Sequence, residues 1–333
     1  MICGKDAGNI ETSDAPLWFF SCCKDLLEKE KSPDFLNEVL DNRTVREILL
    51  SMAHSLISGT KTGVVVDSET LLIYSPSHFT WMDTNFPAGS PRQGYPVEIQ
   101  ALWYNALILL SSIDKDHASD WKKKAASVRK SVQTLFYLVD RGYFSDCLHA
   151  DGPIGAKKAV PDDALRPNQL FLFTFDVIED MKMVQTCVET CQELLVPGGI
   201  RSLADRRIEY PNPVYYDGKL INDPHFPYSG EYKGDEDTKR KPAYHNGTAW
   251  TWPFPAFCEA WAKAFGKNSH PTCLSWLGSV FNLMRTGAAG YIPEILDGDY
   301  PHTPRGCDAQ AWGSSEVARV MHKLLSGCVS GED

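Results

Sequence analysis

No apolar run in this 333-residue chain approaches the roughly 20 residues that a helix needs to cross a bilayer, which argues against a membrane span. Basic residues are outnumbered: 33 Lys and Arg face 43 Asp and Glu, a formal charge of −10. That sign speaks against binding nucleic-acid phosphate or an anionic membrane and suits a neutral ligand. The amino terminus, Met-Ile-Cys-Gly-Lys-Asp, has no basic-then-apolar signal character, so a cytoplasmic protein is expected. Ten cysteines are present but no Cys-x-x-Cys pair. Reduced, mostly buried thiols acting as small apolar residues are the expectation, with no metal site and no cofactor implied. No fixed-period repeat is found, which disfavours a helical stack.

What is present is helical periodicity and apolar residues at 43% of the chain, ample for a large core. Trp121, Ala125, Val128, Val132 and Leu135 share one face opposite Lys122, Lys124, Arg129 and Lys130. Val184, Cys187, Val188, Cys191 and Leu194 repeat the pattern, as do Cys273, Trp276, Leu277, Val280, Phe281 and Met284. Segments 97–110, 170–177 and 250–265 are apolar nearly all round and belong in an interior. Buried and one-sided helices thus alternate: 97–113 with 116–139, 166–180 with 183–196, 248–266 with 270–285. Short connections make each pair antiparallel. About nine helices arranged as an inner ring wrapped by an outer one satisfy this pattern. The expected fold is an all-α, (α/α)6-toroid of six-hairpin type, incomplete, in a single domain over 1–333. Loops near 60–96, 140–165 and 197–247 join the helices, the last too long for an idle connector, and Thr62 to Val66 can form a minor hairpin.

The stretch from Thr80 to Leu107 carries the most information. Asp83 follows Trp81 and Met82 in a Gly/Pro-rich loop that feeds a strongly apolar helix. A carboxyl group held against apolar surface has its charged form disfavoured, which suits a proton donor. The competing reading is a helix cap or turn residue. Trp81, Phe86 and Tyr95 form a candidate rim for stacking sugar rings. Glu98 and Asn105 share a face that points either to a polar cavity or to a solvent-filled gap. A second acid, Glu294, lies between apolar residues in the loop before another inner helix, the position that Asp83 occupies. Two acids on one rim are the minimal kit for glycoside hydrolysis; a surface charge is the alternative for Glu294. Asp297 and Asp299 compete with it, although the ligand series of a Ca²⁺ loop is missing. Arg166-Pro167-Asn168-Gln169, Tyr244-His245-Asn246-Gly247-Thr248 and Gln310-Ala311-Trp312 sit at similar junctions, with Trp250 and Trp252 following the second. Such side chains can hydrogen-bond sugar hydroxyls or cap helices.

These motifs, taken in order with Ser13-Asp14-Ala15-Pro16-Leu17-Trp18-Phe19, Thr80-Trp81-Met82-Asp83, Pro91-Arg92-Gln93-Gly94-Tyr95-Pro96-Val97-Glu98 and Gly199-Ile200-Arg201-Ser202-Leu203, cover nearly the whole chain. The sequence resembles the glucosidase domain of glycogen debranching enzymes, the amylo-α-1,6-glucosidases, which adopt a six-hairpin α/α barrel. The resemblance implies removal of α-1,6-linked glucose at branch points of glycogen or a limit dextrin, with inversion. By matching position it makes Asp83 the general acid and Glu294 the general base, with carboxyl groups about 6.5–9.5 Å apart to admit a water. It adds Asp14, Trp18 and Arg92 to a substrate-binding set of Trp81, Glu98, Arg166, Asn168, Gln169, His245, Trp250, Gln310 and Trp312. Two departures stand out. A Gly-Arg-Asp stretch and helices upstream of Asp14 are not found, so a carboxy-terminal part of the family domain, with a protein partner able to supply the missing helices, is expected. The glucanotransferase of eukaryotic members is also absent, and Gly313 stands where a serine is expected.

Overall fold

The computed structural model describes residues 11–30, 32–84 and 90–329. Helices dominate, and the strands are two or three residues long. Contacts divide the chain into two compact units: the described residues of 1–83, 91–136 and 147–161 form one, those of 84–90, 137–146 and 162–333 the other.

The first unit holds α1 (Ala15–Glu30), α2 (Val45–Ser58), α3 (Val97–Ile113) and α4 (Ala118–Leu135). Thr44 starts α2 through a capping box: its hydroxyl accepts from the Glu47 N–H at 3.2 Å while Glu47 accepts from the Thr44 N–H at 2.7 Å. Such a reciprocal pair satisfies two orphan donors at once. Helix α3 is buried on nearly every side, as its apolar sequence requires, and packs on both α1 and α4. Helix α4 buries only Trp121, Ala125, Val128 and Val132 and turns its lysines outward. A three-stranded sheet of β1 (Gly94–Pro96), β2 (Cys147–His149) and β3 (Val160–Pro161) leads the chain into α3. Val65–Val66 pairs with Ile73–Tyr74, which is the minor hairpin expected near Thr62.

The second unit holds α5 (Leu170–Thr174), α6 (Met181–Cys191), α7 (Lys241–Tyr244), α8 (Phe254–Phe265), α9 (His270–Gly278), α10 (Val280–Leu283) and α11 (Ala311–Val329). Helix α8 is its hub, touching α5, α6, α9 and α11. Two expected helices are shorter than their apolar runs. The 166–180 segment opens as a 3₁₀ turn at Pro167–Gln169 and its helix stops at Thr174, with Asp176 in the left-handed region at φ 56°. Lys263 caps this end through the Phe173 and Thr174 carbonyls, a cation where the helix dipole favours one. The 248–266 segment becomes helical only at Phe254, because Ala249–Trp250 is spent as a strand and prolines at 253 and 255 suit a helix start. That strand belongs to an antiparallel sheet in the order β4 (Leu195–Val196), β5 (Gly199–Arg201), β6 (Ala249–Trp250), β7 (Ile295–Leu296), β8 (Pro304–Arg305).

Mostly buried α3, α5 and α8 therefore alternate along the chain with one-sided α4, α6 and α9, the hairpin pattern of an all-α fold. The eight cysteines whose side chains are described are reduced thiols, of which only Cys22 and Cys307 are exposed. Among the described residues no cluster of His, Cys, Asp or Glu could hold a metal ion, and no helix is long and apolar enough to cross a membrane.

Candidate active site

The first unit gathers several of the expected residues around Arg92. The backbone there is left-handed at φ 46°, an unusual conformation for a side chain to accept. It aims the guanidinium at Glu98, which it grips with two bonds of 2.5 Å, while Nη1 also donates to Thr80 Oγ1 at 3.0 Å. Glu98 is 1% exposed. This fork is the geometry in which an arginine and a carboxylate bind most strongly. Asn105 lies on the same face and donates to Ser21 Oγ at 3.0 Å. The polar face of α3 is thus filled by protein partners and borders no solvent gap.

Asp14 stands at the start of α1, its carbonyl accepting from the Trp18 N–H. Burial holds its carboxyl above the ordinary range, although the Thr12 hydroxyl, the Ala15 N–H and the Arg92 charge all pull it down. Ser13 N–H bonds the Phe79 carbonyl at 2.6 Å, which sets the Asp14 turn beside the Thr80–Asp83 stretch. Trp81 and Met82 are buried, but Asp83 is exposed, so it is not enclosed by apolar surface as its neighbours in sequence suggest. Trp81 and Met82 both enter the core, and the chain turns outward at Asp83. Tyr95 is also no rim residue; it is 1% exposed, edge-on to Tyr74, and its hydroxyl donates to the Ile154 carbonyl. Phe86 lies outside the described residues, and Trp18 is half-buried.

In the second unit, Glu294 precedes β7 and is 6% exposed. Strand pairing fixes it on both sides: its N–H donates to Cys307 O at 2.9 Å, and its carbonyl accepts from Thr251. The carboxylate takes three donors. Tyr244 Oη reaches Oε1 at 2.7 Å, Gln310 Nε2 reaches Oε1 at 2.5 Å, and the Cys307 N–H reaches Oε2 at 3.0 Å. Gly306 makes the last contact possible: it has φ +71°, and a Cβ there would lie 2.3 Å from Oε2. Gly313 has a similar reason, since a Cβ would meet Thr251 Oγ1 at 2.8 Å; a serine would crowd the hydroxyl that ties β6 to Pro293.

Aromatic rings surround this carboxylate in a continuous file. Tyr244 contacts Tyr232, His245 and Trp250 at 4.8–5.3 Å between centroids. His245 stacks on Trp250, Trp312 stands edge-on to Trp250, and Trp252 is stacked between Trp312 and Phe171. His245 and Trp250 are buried, whereas Tyr232, Tyr244, Gln310 and Trp312 are half-buried and border the open side. Asp297 is taken by Arg305 and the Tyr232 N–H, and Asp299 accepts from Tyr228 Oη.

Arg166, Asn168 and Gln169 lie deeper. Arg166 donates to the Ser202 and His245 carbonyls and to Asn246 Oδ1, with Asp146 at 3.6 Å from Nε. Asn168 donates to Asp146 Oδ1, and Gln169 bonds the Phe144 N–H and the Arg166 carbonyl. All three are buried, and Arg166 supports the backbone at His245. Sequence reasoning did not join Tyr244, Gly306 or the Cys307 N–H to Glu294, because all three lie well apart from it along the chain.

The chain matches the amylo-alpha-1,6-glucosidase family over residues 3–319. No curated protein matches it closely enough to count as a relative. Among solved structures it is similar to a sialidase, at TM-score 0.55 and 12% identity, covering 85% of this chain and 24% of that one. It is also similar to a rhamnosidase from Klebsiella oxytoca with rhamnose bound, at TM-score 0.52 and 10% identity, covering 95% of this chain and 48% of that one. The chain spans about a quarter and about half of those two proteins, and at such identities the likeness is one of fold.

Proposed function

The chain belongs to the amylo-α-1,6-glucosidase family, and we propose that it is an inverting, exo-acting glucosidase that removes α-1,6-linked glucose at branch points of glycogen or a related glucan. In this reading Asp83 protonates the leaving glycosidic oxygen while Glu294 takes a proton from the water that attacks the opposite face of the sugar. The observation that carries it is Glu294: a nearly buried carboxylate held by Tyr244, Gln310 and the Cys307 N–H at the mouth of an aromatic file. These donors fix the orientation of the carboxylate. Half-buried Trp312 and Tyr232 offer flat apolar faces to a sugar ring. Asp83 is exposed, next to buried Trp81 and Met82, and so is accessible to a leaving-group oxygen in solvent.

Glu294→Gln and Asp83→Asn should each lower glucose release from a branched limit dextrin by roughly 10²–10⁴-fold. If both variants keep wild-type turnover, the assignment is wrong. Proton NMR of the first-formed glucose should show the β-anomer, and an α-anomer would exclude inversion. Comparing isomaltose-type, maltose-type and trehalose linkages tests the substrate. The exposure of Asp83 favours one second reading, a glucan-binding protein with little turnover; maltooligosaccharide binding without glucose release would support it.

A further inference from the structure

Resting on the reading of Glu294 as the base, the geometry points to Oε2 as the oxygen that takes the proton, and to Tyr244, Gln310 and Gly306 as the residues that keep it so. A carboxylate has about four lone-pair sites, two on each oxygen. Oε1 accepts from both Tyr244 Oη and Gln310 Nε2, so its sites are filled. Oε2 accepts only from the Cys307 N–H among the described residues and keeps one site open. The carboxyl plane cannot exchange its two oxygens while Tyr244 and Gln310 hold one of them. The Cys307 N–H can approach Oε2 only because residue 306 carries no Cβ; one there would sit 2.3 Å from that atom. Water arriving at the open site gives its proton to Oε2 as its oxygen bonds to the anomeric carbon, and Asp83 supplies the proton that the departing oxygen gains. Tyr244 and Gln310 do not touch the reacting atoms; they are positioning residues. Tyr244 is itself held by rings on several sides, Tyr232, His245 and Trp250, so the phenol has little freedom to leave its bond.

Tyr244→Phe removes the hydroxyl and keeps the ring. Loss of a hydrogen bond to a charged group should lower kcat by roughly 10–100-fold, with KM within about 3-fold of the wild type. It should also move the acid limb of kcat/KM to higher pH, because a carboxylate with one donor fewer is protonated more easily. Tyr232 also senses the Glu294 charge, and burial holds its phenol above the ordinary range, so it stays neutral across that limb. A merely structural Tyr244 would alter melting temperature and leave the limb where it is. Gln310→Leu reads the same oxygen from α11 and serves where the phenylalanine variant does not fold. An unmoved acid limb and unchanged kcat in both variants, beside an inactive Glu294→Gln, would overturn this inference and leave the proposed function standing. Activity retained in Glu294→Gln would instead overturn the function. Carbon-13 NMR titration of labelled glutamate, with the Glu294 signal assigned by its loss in Glu294→Gln, reads the grip without any substrate. The signal should titrate at higher pH in Tyr244→Phe, and coincident curves would refute the grip.

Discussion

At the scale of single residues, the same side-chain types serve two ends that sequence does not separate. Glu98 and Glu294 both follow a proline-containing loop and both end almost buried, yet Glu98 is locked against an arginine while Glu294 meets only neutral donors. A buried ion pair is costly to break from one side, because the survivor is left as an uncompensated charge. Glu98→Gln should therefore lose roughly 3–5 kcal/mol of unfolding free energy. The double variant Arg92→Met, Glu98→Leu should recover much of that loss in a double-mutant cycle by chemical denaturation, and a strictly additive result would show that the pair is not coupled. Arg166, Asn168 and Gln169 make the complementary point. Their types suit sugar hydroxyls, but whether an amide faces a ligand or a neighbouring carbonyl depends on contacts 20 to 80 residues away. Glu294 was legible as a loop acid among apolar residues. Its dependence on Gly306 was not, because that follows from a backbone angle and a distance across β7 and β8.

At the scale of elements, periodicity located α3 over 97–113, the span expected, and the one-sided α4, α6 and α9. It failed at 248–253, where an apolar run is shared between a strand and a helix; apolarity reports burial and cannot say which backbone achieves it. Helix α11 illustrates how the elements are fastened. Glu259 on α8 bonds Arg319 at 2.7 Å and Lys323 at 2.6 Å on α11. Burial alone would push the Glu259 carboxyl up, but the two cations outweigh it and leave it below the ordinary range. A carboxyl lowered in the folded state adds stability above its unfolded value, near pH 4.5, and loses it as pH falls through the folded value. Arg319→Ala should thus cost stability at pH 7 and cost progressively less below about pH 4.5, where Glu259 becomes protonated. Solvent reaches both cations, so the loss should stay under the roughly 3–5 kcal/mol of a fully buried pair. Equal losses at pH 7 and pH 3.5 would argue against the ion pair as the cause.

At the scale of the whole molecule, the eight cysteines with described side chains fall into two classes. Burial raises the Cys187 thiol to about 12 and the Cys23 and Cys273 thiols to about 11, with Cys191 and Cys258 also well above the ordinary value. Such thiols are poor nucleophiles and hard to reach. Iodoacetamide applied to the native protein should therefore label Cys22 and Cys307 and leave Cys23, Cys147, Cys187, Cys191, Cys258 and Cys273 unmodified until denaturant is added, as peptide mass spectrometry would show. Maltooligosaccharide should slow labelling at Cys307, whose N–H bonds Glu294; unchanged labelling there would place the sugar elsewhere.

The stacked indoles of Trp252 and Trp312, 5.1 Å apart and 13° from parallel, with Trp250 edge-on beyond them, are close enough for their electronic transitions to mix. The protein should therefore carry a built-in optical gauge: an exciton signature in the near-ultraviolet circular dichroism that Trp312→Leu abolishes. A carbohydrate settling on the half-buried ring of Trp312 would perturb emission from this trio. Occupancy could then be followed in unlabelled protein, before any bond is cut.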